Sequence, residues 1–231
     1  LRFYTNITHE LRTPLTLILG PLEDMQKDTS LPTRQAQKLS VIHLSALRLL
    51  NLINQILEFR KTETQNKKLC VCKGNIVPLI HEIGLKYKEL NQKKAIDFQI
   101  QIEKEEMPLF FDKEIITIIL DNLISNAIKF TYTGGQVELS LADSGDYWTI
   151  YVKDNGKGIP KDLQAHLLKS DEYITTYGTH NEKGSGLGLI LCRDFIRMNK
   201  GKLHFYSQEG IGTTFYFTIP KASSSAEAVS R

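Results

Sequence analysis

The chain opens with Phe3-Tyr4-Thr5-Asn6-Ile7-Thr8-His9-Glu10-Leu11-Arg12-Thr13-Pro14-Leu15, which sets a histidine, a carboxylate and a hydroxyl beside an apolar helical seam. Tyr4, Thr8, Leu11, Leu15, Ile18, Leu22 and Met25 recur at steps of four and three, the a/d pattern of a helix that packs on other helices. His9 follows a seam position, so it is expected on the shoulder of the stripe and open to water. Glu10 is its neighbour, and Thr13 lies one turn on, above His9 on the same face. Pro14 lacks a backbone donor and its ring crowds the carbonyl of Glu10, which predicts a local bend beside His9.

Residues 1 to about 28 therefore read as a first helix. Asp28-Thr29-Ser30-Leu31-Pro32-Thr33 is a turn-rich connection with Thr33 as N-cap of a second helix, about 34 to 62. Leu39, Ile42, Ala46, Leu49, Ile53 and Ile56 form its stripe, which Leu50 and Leu57 widen. Two such helices on a short loop make an antiparallel hairpin that cannot cover its own apolar face. Pairing two hairpins into a four-helix bundle solves this, and predicts a homodimer. His43 is without a carboxylate neighbour and reads as a plain helix residue.

At 231 residues the chain has room for one large or two small domains. Hydrophobic residues at 41% and charged residues at 24% are ordinary for a globular protein. A formal net charge of +3 argues for neither nucleic acid nor a membrane surface as a direct partner. No apolar run approaches the roughly 20 residues of a membrane span, and no signal peptide is evident. Opening inside a helical pattern without Met, the sequence is expected to be part of something longer. Cys70, Cys72 and Cys192 cannot build a disulfide framework, and a C-x-C without a second ligand pair is a poor zinc site. Free thiols in a reducing compartment are expected.

Thr62 to Lys68 is polar and basic and reads as a linker, after which strand and helix periods alternate. Leu69 to Cys72 reads as a short strand. Ile76, Ile80, Ile83, Tyr87 and Leu90 mark a helix capped by Asn75. Ile96, Phe98, Ile100 and Ile102 alternate as a strand, and Leu109 to Phe111 is another. Asp112 caps an apolar helix that runs to about Phe130. Val137, Leu139 and Leu141 pair with Trp148, Ile150 and Val152 through the Ser144-Gly145-Asp146 turn. A loop-rich region precedes a helix at about 186 to 199 and strands near 202 to 207 and 213 to 219. Strands paired mainly as hairpins, with helices on one face, predict an α+β two-layer sandwich. The expected organisation is a helical hairpin at 1–64, an α+β domain at 69–220 and a flexible tail at 221–231.

Three separated motifs in the second domain carry chemistry. In Asp121-Asn122-Leu123-Ile124-Ser125-Asn126-Ala127-Ile128-Lys129-Phe130-Thr131, Asn122, Asn126 and Lys129 share one helix face. Amide oxygens are neutral hard ligands for Mg²⁺, and an ammonium supplies a point charge for phosphate. The same three residues also fit a solvated helix face. Asp154-Asn155-Gly156-Lys157-Gly158-Ile159-Pro160 follows a strand. Its glycines let backbone approach a ligand and its carboxylate accepts from an exocyclic amine such as that of adenine, although the run is also good turn chemistry. Lys183-Gly184-Ser185-Gly186-Leu187-Gly188-Leu189 opens a helix, where amides and dipole favour phosphate. It has neither the spacing and βαβ context of a dinucleotide fold nor a P-loop lysine.

The run His9 to Leu15, with Phe3 and Asn6 before it, resembles the phosphoacceptor box of sensor histidine kinases. The three later motifs, in this order, resemble the N, G1 and G2 boxes of the GHKL ATPase superfamily, and Gly210-Ile211-Gly212-Thr213-Thr214-Phe215 resembles its last glycine box. The resemblance covers about residues 1 to 220. The family's phenylalanine-rich F box is not recognisable in Leu167-Leu168-Lys169-Ser170-Asp171-Glu172-Tyr173.

The resemblance implies a GHKL fold, ATP and Mg²⁺ as cofactors, and roles for particular residues. Asp154 selects adenine, with Gly156, Gly158 and Ile159 around it and Thr213 nearby. Asn126, assisted by Asn122, ligates Mg²⁺, and Lys129 contacts phosphate. Gly184, Ser185, Gly186, Leu187 and Gly188 line the nucleotide. About Leu163 to Lys183 forms a lid, with Tyr177 and Lys183 as contacts. His9 accepts the γ-phosphate with Glu10 as its hydrogen-bond partner, then passes it to the receiver domain of a response regulator, separate or in the same parent chain. Glu10 and Thr13 are also placed to direct water in dephosphorylating that regulator. The implied setting is the cytoplasmic part of a larger, often membrane-anchored sensor. A regulator phosphatase or scaffold, and a GHKL ATPase that drives conformational change, remain the alternatives.

Overall fold

The computed structural model describes residues 2–27, 31–63, 70–90, 95–167, 178–179 and 186–221, without the side chains of 2–10, 12, 44, 48, 51, 52, 54–63, 90 and 187. The chain divides into two compact units, Leu1–Lys67 and Lys68–Arg231.

The first unit is a hairpin of α1 (Arg2–Gln26) and α2 (Thr33–Glu63), and α1 runs on through Pro14 and Pro21. Thr33 is the first helical residue of α2 rather than its cap. The carbonyl of Pro32 accepts from the Gln35 and Ala36 amides at 2.8 and 3.0 Å, so the helix starts one residue earlier than its polar residues suggest. Leu15, Leu19 and Leu22 of α1 close on Leu39, Ala46 and Ile53 of α2, with Leu31 and Leu50 packed against them. The expected seam is thereby split. Leu11, Ile18 and Met25, seven residues apart, point away from this core and are about half exposed, as are Ile42 and Leu49. The a and d positions serve different neighbours, and only one set is satisfied inside the hairpin. His43 corrects its reading as a plain helix residue. It is largely covered, and Glu23 Oε1 of α1 lies 3.7 Å from its Nε2. That carboxylate arrives across the hairpin, where spacing along one helix cannot reveal it.

The second unit holds β1 (Cys72–Asn75), α3 (Val77–Leu90), β2 (Asp97–Ile102), β3 (Pro108–Phe111), α4 (Lys113–Phe130), β4 (Gln136–Ser144), β5 (Tyr147–Asp154), α5 (Lys161–Gln164), α6 (Leu187–Met198), β6 (Leu203–Gln208) and β7 (Gly212–Pro220). Five strands form one sheet in the order β2-β4-β5-β7-β6, while β1 and β3 form a separate antiparallel ribbon. The expected strand at 69–72 is displaced to Cys72–Asn75, because this is the segment in register with Phe111 to Pro108. Leu69 lies outside the described residues. The Cys70 amide goes instead to Asp112 Oδ2 at 2.8 Å. Pairing mainly by hairpins also needs correcting: β2 runs parallel to β4 through the β3–α4 crossover, and β5 pairs with β7, not its successor.

The caps explain the helix starts. Asp112 Oδ1 accepts from the Ile115 amide at 3.2 Å, which begins α4 as its sequence suggests. Asn75 Oδ1 accepts from the amides of Val77 and Met107 at 3.1 and 3.0 Å, joining the start of α3 to the approach of β3. Helices α3, α4 and α6 pack on one another and on one face of the sheet. Ile115, Ile119, Leu123, Leu139, Ile150, Phe195 and Phe217 are wholly or almost wholly shielded between the two layers. The other face carries a row across three strands, Tyr151, Tyr216 and His204, whose rings stack at 5.4 and 5.2 Å. The unit is an α+β two-layer sandwich. Cys70 and Cys72 are exposed free thiols and Cys192 is a buried one, whose deprotonation burial opposes.

Candidate active site

Strand β5 ends at Asp154, and the carboxylate turns inward to a site where only 7% of the residue meets water. Its Oδ1 accepts from the amides of Gly156 at 2.9 Å and Thr213 at 3.3 Å, while Oδ2 takes no hydrogen bond from the described residues. Burial raises its pKa from 3.8 to about 6, against the opposing pull of those two amides. A half-satisfied, buried carboxylate is a strong acceptor for a donor supplied from outside.

The loop after Asp154 is held from several sides. Asn155 Oδ1 accepts from the Gln136 amide at 2.7 Å, and the Lys157 amide reaches Phe130 O at 3.1 Å. Gly158 has a φ of 68°, and a Cβ there would stand 2.1 Å from Gln208 O, so this position admits only glycine. The Ile159 amide donates to Ser207 Oγ at 2.9 Å. Thr213 faces Asp154 directly across β5 and β7, and Ser207 faces Thr213 across β7 and β6. Ser207 is thus a site residue that the motifs missed. Its signal, a lone serine on a strand, becomes legible only through cross-strand register.

Helix α4 brings Asn122, Asn126 and Lys129 to this end of the fold. Asn122 Nδ2 donates to Ile118 O at 2.8 Å, and a Cβ on Gly188 would lie 2.6 Å from Asn122 Oδ1. Gly188, the glycine within α6, is therefore what lets the third motif lie flat against the first. Gly186, with φ of 76°, is the N-cap of α6. The Asn126 side chain is partly exposed and makes no hydrogen bond within the described residues. The ammonium groups of Lys129 and Lys157 stand 4.8 and 5.0 Å from the centre of the Phe130 ring. On the far side of α4, Lys86 pairs with Asp121 at 3.0 Å and the Tyr87 hydroxyl donates to Asp121 O at 3.3 Å, which fixes the start of the motif against α3. Thr179 Oγ1 lies 3.0 and 2.9 Å from the carbonyls of Lys129 and Thr131.

The structure thus brings together Asp154, Gly156, Gly158, Ile159 and Thr213 at the end of β5, and sets Asn122 against Gly188. Tyr177, Lys183, Gly184 and Ser185 lie outside the described residues, as does the Leu187 side chain, so the expected lid contacts stay expectations. The predicted lid begins within α5, a short helix that its composition did not signal. In the first unit, His9 and Glu10 lie within α1 with their side chains outside the description, and Thr13 is exposed on the same helix. Among the described residues no group of His, Cys, Asp and Glu forms a metal cluster, and no helix is long and apolar enough to cross a membrane.

Comparison with known proteins matches residues 1–65 to the His Kinase A (phospho-acceptor) domain and residues 111–223 to the Histidine kinase-, DNA gyrase B-, and HSP90-like ATPase family. Histidine kinase P4 of Formosa agariphila is 33% identical over 95% of this chain, which spans 16% of that relative's length. Against three further relatives the chain spans 14%, 36% and 22% of their length. The solved catalytic domain of the histidine kinase ThkA is 30% identical, with TM-score 0.57 over 65% of this chain and 95% of that one. ThkA in complex with the response regulator protein TrrA is 26% identical, with TM-score 0.64 over 96% of this chain and 61% of that one. With a phosphoacceptor match at its start, an ATPase match over its α+β unit and a catalytic domain matched over nearly its full length, the chain belongs to the sensor histidine kinase family.

Proposed function

We propose that this chain catalyses ATP-dependent phosphorylation of its own His9 and passes the phosphoryl group to an aspartate on a response regulator. Residues 1–64 act as dimerisation and phosphoacceptor hairpin, 69–220 as the ATP-binding domain and 221–231 as a flexible tail. The observation that carries this reading is the half-satisfied, buried Asp154, which stands at one end of a sheet whose neighbouring helix holds Asn122, Asn126 and Lys129. The relative solved with a response regulator supports the choice of partner.

Asp154 Oδ2 accepts from the 6-amino group of adenine, and Thr213 lies beside it. Lys129 meets the phosphates, with the N-terminus of α6 facing the same charge. The residues also fit a magnesium ion. The Asn126 side chain has no hydrogen bond within the described residues, and a neutral amide oxygen adds no charge against the triphosphate. Asn126, with Asn122 one turn before it, would hold the ion, which when bound offsets charge on the phosphates. Glu10 accepts a hydrogen bond from one ring nitrogen of His9 and balances the developing imidazolium charge. The other nitrogen attacks the γ-phosphorus in line as the bond to the β,γ-bridging oxygen breaks, so ADP leaves and a phosphoramidate forms. That N–P bond is labile enough to pass the phosphoryl group to a carboxylate.

The outward stripe of Leu11, Ile18, Met25, Ile42 and Leu49 favours a homodimer, since a second copy presents the same stripe about a two-fold axis. We place the reaction in the cytoplasm, within a larger sensor. The exposed Thr13 also favours a reverse activity in which it helps direct water onto a phosphorylated regulator.

Incubation with γ-³²P ATP and Mg²⁺ is expected to give acid-labile, base-stable label on the chain. His9→Gln is expected to abolish that label and leave ATP binding intact. Normal labelling of His9→Gln rejects the acceptor assignment, and ATP turnover without any protein-bound label favours a conformational ATPase.

A further inference from the structure

Ser207 makes three contacts through one hydroxyl. It receives the Ile159 amide at 2.9 Å, reaches Gly212 O at 3.0 Å and lies 2.9 Å from Thr213 Oγ1. A hydroxyl has one proton and two lone pairs. Gly212 O only accepts and the Ile159 amide only donates, so one arrangement makes all three contacts hydrogen bonds. Ser207 donates to Gly212 O and accepts from both Ile159 and the Thr213 hydroxyl. The Thr213 proton is then committed to Ser207, and Thr213 Oγ1 turns lone pairs towards the remaining space. Thr213 faces Asp154 directly across the strands, so two acceptors stand side by side. Gln164 holds this row in place, since its Nε2 donates to Ile159 O at 2.6 Å and Ser207 O at 3.1 Å.

We propose that Ser207 is a specificity-determining positioning residue for the purine base. By holding the Thr213 proton it keeps Thr213 Oγ1 an acceptor beside Asp154, so the site welcomes a 6-amino purine and repels the lone pairs of a 6-oxo purine. This rests on reading Asp154 as the base-binding carboxylate. Without Ser207 the Thr213 hydroxyl is free to rotate and donate to a 6-oxo group, which removes part of the discrimination.

The test is equilibrium binding of ATP and of inosine triphosphate to the full chain, read as the ratio of the two Kd values. Ser207→Ala is expected to lower the preference for ATP by about tenfold, the scale of one hydrogen bond made or repelled. Ser207→Thr, which keeps the hydroxyl, is expected to retain the preference. In a Thr213→Val background Ser207→Ala is expected to change the ratio no further. A merely structural role weakens both nucleotides alike and leaves the ratio unmoved. A ratio within about twofold of the parent in Ser207→Ala overturns the proposal. Should that variant fail to fold by circular dichroism, Ser207→Cys, with a weak thiol in the same space, decides on the same criterion. Asp154→Asn separates the two layers of the argument. If it leaves the discrimination intact, the base-site reading falls. If it collapses the discrimination while Ser207→Ala does not, only the role of Ser207 falls.

Discussion

In the α+β unit Ile80, Ile115, Ile119, Leu123 and Phe217 are wholly shielded from water, whereas in the hairpin Leu11, Ile18, Met25, Ile42 and Leu49 remain about half exposed. The contrast follows from geometry. A sheet with helices on one face closes a core from within a single chain, but two helices touch along one line and leave the rest of each stripe outside. Finishing the burial of five such side chains in each of two copies is worth on the order of 1 kcal/mol apiece, a total that competes with the cost of association. The α+β unit thus closes its core by itself, while the hairpin leaves a stripe open, which on the reading proposed above a second copy covers. Variants of each unit break or sharpen that contrast.

The largest effect is expected from Phe195→Ala, which empties a wholly buried site between α6 and the sheet. A loss of about 3 to 5 kcal/mol is expected in denaturant unfolding followed by the fluorescence of Trp148, which lies in β5 of this unit. The loss should not vary with protein concentration. A concentration-dependent midpoint for this transition contradicts a self-sufficient α+β unit.

Asp154→Asn comes next and sets function against stability. Losing the acceptor for a 6-amino group should weaken ATP binding at least about 100-fold, measured by calorimetry. The folded-state pKa is raised from 3.8 to about 6, so between those values the native state binds more protons than the unfolded chain. Stability therefore falls as pH rises through that window, and the deficit persists at neutral pH. The neutral amide relieves it, and a gain of about 1 to 3 kcal/mol at pH 7 is expected. In the parent, ATP affinity should fall as pH drops below about 6, and that dependence should vanish in the variant. Lower stability of Asp154→Asn at pH 7 rejects the idea that burial dominates this carboxylate.

Much of this site was legible because its residues cluster in short runs. Asp112 as a cap, α4 with its two asparagines and lysine, the turn at Gly145 and the glycines before α6 all follow local rules. Strand content was legible too, but pairing was not: nothing local tells β2 to lie parallel to β4, or Cys72 rather than Leu69 to begin β1. Ser207 was illegible for the same reason, since its place comes from register with Thr213 and Asp154 across two strand pairs. In the hairpin the heptad pattern marked both apolar stripes but could not divide them between the partner helix and the outside. Leu19, off the expected seam, belongs to the inner stripe, and Ile18, on it, to the outer one.

That division yields a smaller prediction. Ile18→Lys on the outer stripe should leave the hairpin's inner core intact and weaken self-association by about 1.5 to 3 kcal/mol, read by analytical ultracentrifugation. Nucleotide affinity should not change. The matched change inside, Leu19→Ala, should instead lower helical content at every protein concentration. Equal effects of the two variants on self-association undo the distinction between stripes.

The smallest effect concerns His43, a polar side chain that the hairpin covers. Its Nε2 is buried without a hydrogen-bond partner among the described residues, and Glu23 Oε1 at 3.7 Å is too far to be one. Glu23 is itself more than half exposed, so water screens the pair and the carboxylate pays little to approach. Glu23→Gln is therefore expected to shift hairpin stability by less than about 0.5 kcal/mol, measured by helical circular dichroism on heating. His43→Leu should do more, and in the stabilising direction, because it removes an orphaned polar atom from an apolar seam without opening a cavity. A large loss in either variant means that the His43–Glu23 contact holds the two helices together, and that the hairpin depends less on its partner than the exposed stripes imply.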